Sequence, residues 1–433
     1  MFCNNVLRIS LIEKPFKSPL ANYLHKEDNF MIKQQKLVLF FSLISAIIFF
    51  SGNDRTIFHD KEHPFAPITL DAADSILSKM TLEEKIGQFF ILKKSDQQQN
   101  IDPAGYLLNE ISDPILKEKN HPEVPLMFGL DLINNSSLKG DANVASPFQL
   151  ASVKDEQLVK EYAYALGESF KSKGFDFVIG PSLDIEINDQ SPYTSNWSLG
   201  TEAESVQKTA SSIIEGLQMA GVTSIVGNFP GLGSTNCGYE SSPSIIYAKR
   251  NALNSNDLVP FKAVINDGIQ SLMVSNAFAP GLDSSLNTIA SVSPIINSTL
   301  RDQMGFNGLL WVDLTCAGKK NIEDRLSEAF LAGNDLLIID HDLEGNIRKI
   351  QSLLDQGAIT EEEIDIRCKK VIQSKLWLSR KTKKKNPQDS LRIEKLLELK
   401  YRQVYSDGLV MVRNSKGIIP IQHLDTLNIA LVK

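Results

Sequence analysis

The sequence predicts an α/β fold whose main domain is a parallel (β/α)8 barrel. Three observations predict it. Short apolar runs alternate with helical patterns over roughly 300 residues, and such β-then-α alternation implies a parallel sheet. The runs are continuously apolar rather than alternating, as strands buried on both faces are. No Gly-rich dinucleotide fingerprint opens the first unit, which counts against a doubly wound open sheet.

In chain order, a helix is expected over 70–85, with Asp71 near its start and Thr81-x-x-Glu84 as a capping box. Strands are expected at 89–92, 126–130, 175–179, 222–226, 271–274, 309–312 and 336–339. Helices at 152–172, 204–220, 260–268 and 293–304 lie between them. Together, seven or eight such units make a barrel domain over 70–380, behind a polar linker at 53–69. A basic, proline-containing linker at 381–389 leads to a last unit, 390–433, which begins with a helix at 390–405.

Composition narrows the function classes. Hydrophobic residues make up 42% and charged residues 22% of the 433, which is ordinary for a globular chain. A net charge of −7 argues against a nucleic-acid partner. Cys3, Cys237, Cys316 and Cys368 are scattered, with neither zinc spacing nor a disulfide framework. Residues 31–52 read as a targeting segment within an N-terminal extension, 1–52. Lys33 and Lys36 precede an apolar run at 37–50, short for a membrane span and typical of a signal core. The expectation is export: a periplasmic protein, or one anchored to the inner membrane through 37–50 by an uncleaved signal. Residues 1–30 precede Met31, itself a plausible start.

The motifs carry more. The loop Phe229-Pro-Gly-Leu-Gly233 follows the apolar strand at 222–226, and its glycines let backbone fold tightly over a site. Pro125-Leu-Met-Phe-Gly-Leu-Asp131, Pro181-Ser-Leu-Asp184 and Gly305-Phe-Asn-Gly-Leu-Leu-Trp-Val-Asp313 each end in an aspartate at or just past a predicted strand end. In a barrel, chemistry sits there. With Met80-Thr-Leu-Glu-Glu-Lys-Ile-Gly-Gln88 and Ala332-Gly-Asn-Asp-Leu-Leu337, these segments resemble glycoside hydrolase family 3, in the family's own order over roughly 75–380. Segments at 408–414, 417–421 and 427–432 resemble the entry into that family's second, α/β sandwich domain, so the resemblance implies the truncated start of a second α/β domain after the barrel.

The resemblance implies a retaining glycosidase without metal or cofactor. Asp313 would be the nucleophile and Asp131 the residue that grips sugar hydroxyls, while Asp184 would orient loops through backbone N–H groups. Lys139 stands where one subgroup has an arginine, keeping the charge without the planar fork. Other family positions have changed. A Lys-His pair reads Gly227-Asn228, the next histidine is Leu232, and an arginine is Trp197. A glutamate reads Ile133, and a histidine after the fifth strand reads Asn276. The Asp-x-His acid/base dyad aligns near Gly238-Tyr239-Glu240, and no histidine occurs between His121 and His341. Glu240 is the stand-in acid/base, and Asp131, Lys139, Trp197, Asn228 and Asn276 are the sugar-binding candidates. Trp197 has two readings, a plane stacking on a sugar or a side chain filling a vacated pocket.

Two functions follow. One is a β-N-acetylhexosaminidase of reduced activity on β-linked N-acetylglucosamine in peptidoglycan or chitin-type fragments. The other is a catalytically inactive glycan-binding or scaffolding protein, suggested by the loss of polar positions on an intact Gly/Pro skeleton. In both, the partner is a carbohydrate.

Overall fold

The computed structural model describes residues 67–93, 100–108, 124–133, 143–188, 191, 194, 197–235, 244–285, 288–315, 325–380 and 387–409. The expected signal segment, residues 381–386 of the linker expected at 381–389, and the final stretch from 410 lie outside them; residues 387–389 of that linker begin a helix.

Eight parallel strands close into a barrel in sequence order. They are β1 (Phe90–Lys93), β2 (Gly105–Leu108), β3 (Met127–Asp131), β4 (Phe177–Ser182), β5 (Thr223–Phe229), β6 (Ser271–Val274), β7 (Leu309–Asp313) and β8 (Leu336–Ile339). Closure comes from β1 on β8, with Phe90 opposite Leu337 and Leu92 opposite Ile339. β2 was not expected from the sequence; β6 and β8 have the expected bounds.

The continuously apolar strands divide by parity. Ile91, Met127, Phe177, Ile225, Met273, Leu309, Trp311, Leu336 and Ile338 form one buried cluster, the lumen. Their neighbours Phe90, Leu92, Val226, Leu310, Val312, Leu337 and Ile339 belong to the cluster shared with the surrounding helices. Side chains of a strand alternate between its two faces, so both clusters come from the same runs. Phe177 and Trp311 meet inside the lumen with ring centroids 5.2 Å apart. Gly129 makes that possible: a Cβ there would lie 2.1 Å from the Phe177 ring.

Around the sheet run α1 (Pro67–Leu77), α2 (Leu82–Gly87), α3 (Pro147–Ser152), α4 (Glu156–Ser172), α5 (Ala203–Met219), α6 (Arg250–Ser255), α7 (Leu258–Asn266), α8 (Pro294–Ser298), α9 (Leu326–Leu331), α10 (Leu343–Asp355), α11 (Glu361–Arg380) and α12 (Pro387–Asp407). The helix expected over 70–85 is instead two. Thr81 caps α2 with ψ 162°, its side chain and that of Glu84 completing the capping box. A capping residue takes non-helical dihedrals, so a box within a helical pattern marks a break. The helix expected over 152–172 is α4, which starts later, at Glu156, where Asp155 caps it, and ends as expected at Ser172; α3 precedes it.

α11 stoppers the N-terminal end of the barrel. Lys370 Nζ donates to Gly308 O just before β7 (2.6 Å), and Lys375 Nζ to Gln88 Oε1 before β1 (2.6 Å). The Leu378 carbonyl accepts from Lys171, which pairs at 2.6 Å with Asp176 before β4. At the same end Asp335 is buried against Arg301 (2.7 Å) and Lys370 (3.4 Å). Burial alone would raise its carboxyl, but Lys370, Arg301 and Arg367 hold it below the usual range. Buried Cys368, also on α11, is a free thiol pushed up to about 12 by burial. No helix among the described residues is long and apolar enough to cross a membrane.

Candidate active site

At the opposite, C-terminal end, three lumen-facing series run out in a charged residue. Ile91 is followed by Lys93 on β1, Met127 and Gly129 by Asp131 on β3, and Leu309 and Trp311 by Asp313 on β7. Asp131 and Asp313 are both only 8% exposed. β3 and β7 are four strands apart in a ring of eight, so the two carboxylates face one another across the mouth. Trp311, one lumen layer below Asp313, forms its floor.

Asp313 is held from every side. Its Oδ1 accepts from Thr315 N (2.8 Å) and Thr315 Oγ1 (2.7 Å). Its Oδ2 lies 3.2 Å from Lys93 Nζ, and Lys93 also donates to Thr315 Oγ1, closing a triangle. β1 and β7 flank β8, which is why Lys93 reaches Asp313. The Asp313 carbonyl accepts from Asn276 Nδ2 (2.6 Å), and Ser291 Oγ donates to Asn276 Oδ1 (2.6 Å). Asn276, expected as a sugar contact, is thus bound to the nucleophile candidate's main chain and to Ser291.

Asp131 Oδ1 accepts from Ile133 N (2.8 Å), bracing the turn beyond β3. Asp184 organises the glycine loop. Its Oδ1 accepts from Leu232 N (2.7 Å), and its Oδ2 from Ser182 Oγ (2.8 Å) and Asn228 Nδ2 (3.2 Å). Burial pushes its carboxyl up, against the pull of those donors. The amide of Asn228, another sugar-contact candidate, is therefore turned toward Asp184. The peptides Gly227–Asn228 and Phe229–Pro230 are cis. Gly233 crosses Ile185 so closely that a Cβ would sit 1.7 Å from its carbonyl oxygen. On the other side of the loop lies buried Asp257, whose carboxyl burial pushes up to about 6, with the charge of Asp184 adding to the effect.

Two of the changed positions have become apolar core. Leu232 is fully buried, and Ile133 is 7% exposed within the lumen cluster. Trp197 is half-buried and packs against that same cluster. Lys139 and Glu240 lie outside the described residues. Outside the lumen, a cavity of about 160 Å³ opens between the segments following β7 and β8, lined by Leu314, Thr315, Leu326, Ile339, His341 and Lys349 among others. Among the described residues, no group of three His, Cys, Asp or Glu could hold a metal ion.

Sequence reasoning missed Lys93 and Thr315. Lys93 sits one residue past the expected strand at 89–92, and Thr315 two past Asp313, so strand-end position was the available signal.

Residues 77–374 match the sequence profile described as the glycosyl hydrolase family 3 N terminal domain. A β-N-acetylglucosaminidase/β-glucosidase of Cellulomonas fimi is 23% identical over 392 residues, 82% of this chain and 70% of that protein. A β-hexosaminidase of Nitrosomonas eutropha is 26% identical over 200 residues, 45% of this chain. That alignment spans only 57% of the hexosaminidase's length. Among solved structures, a β-glucoside phosphorylase, BglX bound to 2FGlc, aligns with a TM-score of 0.71 at 17% identity, covering 83% of this chain and 71% of its own. A family 3 β-N-acetylglucosaminidase from Paenibacillus sp. aligns at 0.60 and 20%, covering 73% and 68%. At such identities these two likenesses concern the fold.

Proposed function

The chain belongs to glycosyl hydrolase family 3, and from that membership we propose that it is a slow retaining β-N-acetylhexosaminidase. Its substrates are glycans with terminal β-linked N-acetylglucosamine, as in peptidoglycan or chitin-type fragments. The observation that carries this reading is the setting of Asp313, buried at the end of β7 with its carboxylate fixed by Thr315 and Lys93. Fixing a nucleophile before the substrate arrives removes an orientational cost that otherwise falls on the reaction.

In this reading the sugar lies across the mouth, above Trp311. Asp131 accepts hydrogen bonds from its hydroxyls, and Asp313 attacks the anomeric carbon from the far side. The glycosyl–Asp313 ester is then released by water. Lys93 keeps the attacking oxygens in place. The apolar run at 37–50 supports an exported protein, periplasmic or anchored to the inner membrane, where such fragments occur. The names of the relatives, hexosaminidases and a β-N-acetylglucosaminidase/β-glucosidase, support the substrate class.

A second reading, sugar binding without turnover, is favoured by the burial of Ile133 and Leu232 where the resemblance implies polar residues. Losing cationic and imidazole contacts to hydroxyls weakens positioning and removes a proton donor, typically about 10²–10⁴ in rate for the donor alone. One assay separates the two. The full chain is incubated with an aryl β-N-acetylglucosaminide beside Asp313→Asn. Turnover that disappears in the variant supports the glycosidase. Equal absence in both proteins, with the sugar still bound in calorimetry, supports the binding reading and refutes the first.

A further inference from the structure

We propose that a cavity at the N-terminal end of the barrel, beneath β7 and β8, binds a small amphipathic anion: an oxyanion head, carboxylate or phosphate, on an apolar body. The inference is independent of the glycosidase reading, because it concerns the end of the barrel opposite Asp313.

Three observations converge. First, the space is there. A cavity of about 450 Å³ opens between the first turns of α11, the end of α9 and the segment 301–307 that leads to β7. Pockets for small organic ligands begin at about 300 Å³. Second, cations outnumber carboxylates among its lining residues. Arg301, Arg367 and Lys370 stand around buried Asp335. The other lining carboxylate, Glu363, is exposed and turned to the cap of α11, its Oε2 accepting from Thr360 N (2.7 Å) and Thr360 Oγ1 (3.0 Å). Third, large apolar side chains on its walls are uncovered. Ile366 on α11 is 61% exposed and Leu331 at the end of α9 is 46% exposed.

The polar floor is fixed, and its N–H groups are not all spent. Arg367 lies over the Phe330 ring, 3.5 Å from its centroid, and donates to the carbonyls of Phe330 (3.2 Å) and Asn334. Its Nε has no hydrogen-bond partner. Arg301 donates to Phe306 O (3.0 Å), Gly308 O (2.5 Å) and Asp335 Oδ2 (2.7 Å), three of the five N–H groups of a guanidinium. Lys370 gives two of its three, to Gly308 O (2.6 Å) and Asp335 Oδ2 (3.4 Å). The side chains of Arg301 and Lys370 remain 25% and 23% exposed, so a ligand can reach them.

Electrostatics favours such a ligand. Burial pulls the Lys370 ammonium below its usual range; the charge of Asp335 opposes this, and those of Arg301 and Arg367 add to it. Burial likewise brings Arg367 down to about 10. These cations have already lost much of their water, so an arriving anion meets them without the full desolvation penalty of a new ion pair. The head then sits on Arg301 and Lys370, and the body between Ile366 and Leu331. Neither part suffices alone. A bare ion gains little where salt water enters, and an uncharged apolar solute leaves the cations unmatched. The occupied floor is also where β7 is anchored, since Arg301 and Lys370 both hold Gly308 O and Asp335 accepts from Leu310 N (2.8 Å).

The test titrates the full chain by calorimetry with hexanoate and with phenyl phosphate, at constant ionic strength, beside acetate, inorganic phosphate and 1-hexanol. Hexanoate, phenyl phosphate or both should bind at one site, with Kd at least about tenfold below that of the matching bare ion. That ratio corresponds to burial of about two methylenes. 1-Hexanol should not bind. At ten times Kd the thermal midpoint should rise by about 1–3 °C. Ile366→Glu changes an exposed position and sets a carboxylate in the cavity, so it should weaken binding by about tenfold or more. Lys370→Met should do the same by removing a charged donor; Ile366→Glu alone suffices if that variant does not fold. Acetate or inorganic phosphate binding as tightly as its apolar counterpart overturns the proposal in favour of a bare ion site. 1-Hexanol binding as tightly as hexanoate overturns it in favour of an apolar patch. Affinity unchanged in Ile366→Glu places the ligand elsewhere, and no heat or midpoint shift with either amphipathic anion removes the site. None of these outcomes bears on turnover at Asp313, which the aryl glucosaminide assay reads separately.

Discussion

Asp184 offers a quantitative test of how the glycine loop is held. Replacing it with alanine removes the acceptor for Leu232 N–H, at 2.7 Å, and for Asn228 Nδ2, at 3.2 Å. Ser182 is less affected, since its hydroxyl can turn and still accepts from the main-chain N–H of residue 184 (3.1 Å). Each buried donor left without an acceptor costs about 1–3 kcal/mol, so the two together come to about 2–6 kcal/mol. Part returns, because burial already disfavours the ionised carboxylate, as its raised carboxyl shows. The net expectation for Asp184→Ala is a loss of about 2–4 kcal/mol. Asp184→Asn keeps an acceptor for Leu232 N–H and should lose about 1 kcal/mol. Urea unfolding followed by far-ultraviolet circular dichroism reads both as midpoint shifts at constant slope. Should the alanine variant match the parent within about 0.5 kcal/mol, or match the asparagine variant, the carboxylate does not hold the loop.

Three further predictions address other parts of the molecule. Lys93→Met should leave the urea midpoint nearly unchanged but lower kcat on an aryl glucosaminide by about 10–100-fold, with KM little altered, because it loosens Asp313; equal kcat would remove Lys93 from the site. Gly129→Ala places a methyl 2.1 Å from the Phe177 ring and should cost about 1–3 kcal/mol, as overpacking does. Phe177→Leu should recover part of that loss in a double-mutant cycle, whereas strict additivity would deny the contact. Asp257, with its carboxyl near 6 when folded, favours the folded state at low pH and loses that contribution as pH rises from about 4 through 6. Asp257→Asn should flatten this fall and gain up to about 3 kcal/mol near pH 7.5; an unchanged pH slope of the urea midpoint would assign the titration elsewhere.

The barrel was legible because seven of its strands are short apolar runs and nothing competes with that signal. β2 was not, for Gly105-Tyr-Leu-Leu108 contains a glycine and no β-branched residue, and four such residues fit a helix as well. The break at Thr81 was encoded in the capping box, yet helical periodicity on both sides concealed it. In the site, Asp313 and Asp131 could be placed because each ends a strand. Asp184 was expected to orient loops through backbone N–H groups, and it accepts from Leu232 N. Lys93 escaped notice, since a lysine at a strand end reads as a solvated charge. Only ring closure brings it to a carboxylate 220 positions later. Asn228 and Asn276 were read as facing a sugar, while their amides bond to Asp184 and to the Asp313 carbonyl. Sequence position indicates which rim a residue occupies, but not which neighbour takes its hydrogen bonds.

The closing pair of strands also has a consequence for how the protein is made. Phe90 is paired with Leu337, about 250 residues downstream, and the α11 stopper follows later still. At synthesis rates of about 5–20 residues per second, β1 leaves the ribosome roughly 12–50 s before its partner. For that interval one edge of the growing sheet has no strand to pair with, and its apolar lumen residues have no cover from below. An open, apolar edge is a site for wrong pairing between nascent chains. The vulnerable species are thus the partial sheets that precede closure, from one strand up to seven, and their lifetime is set by translation rather than by the stability of the finished ring.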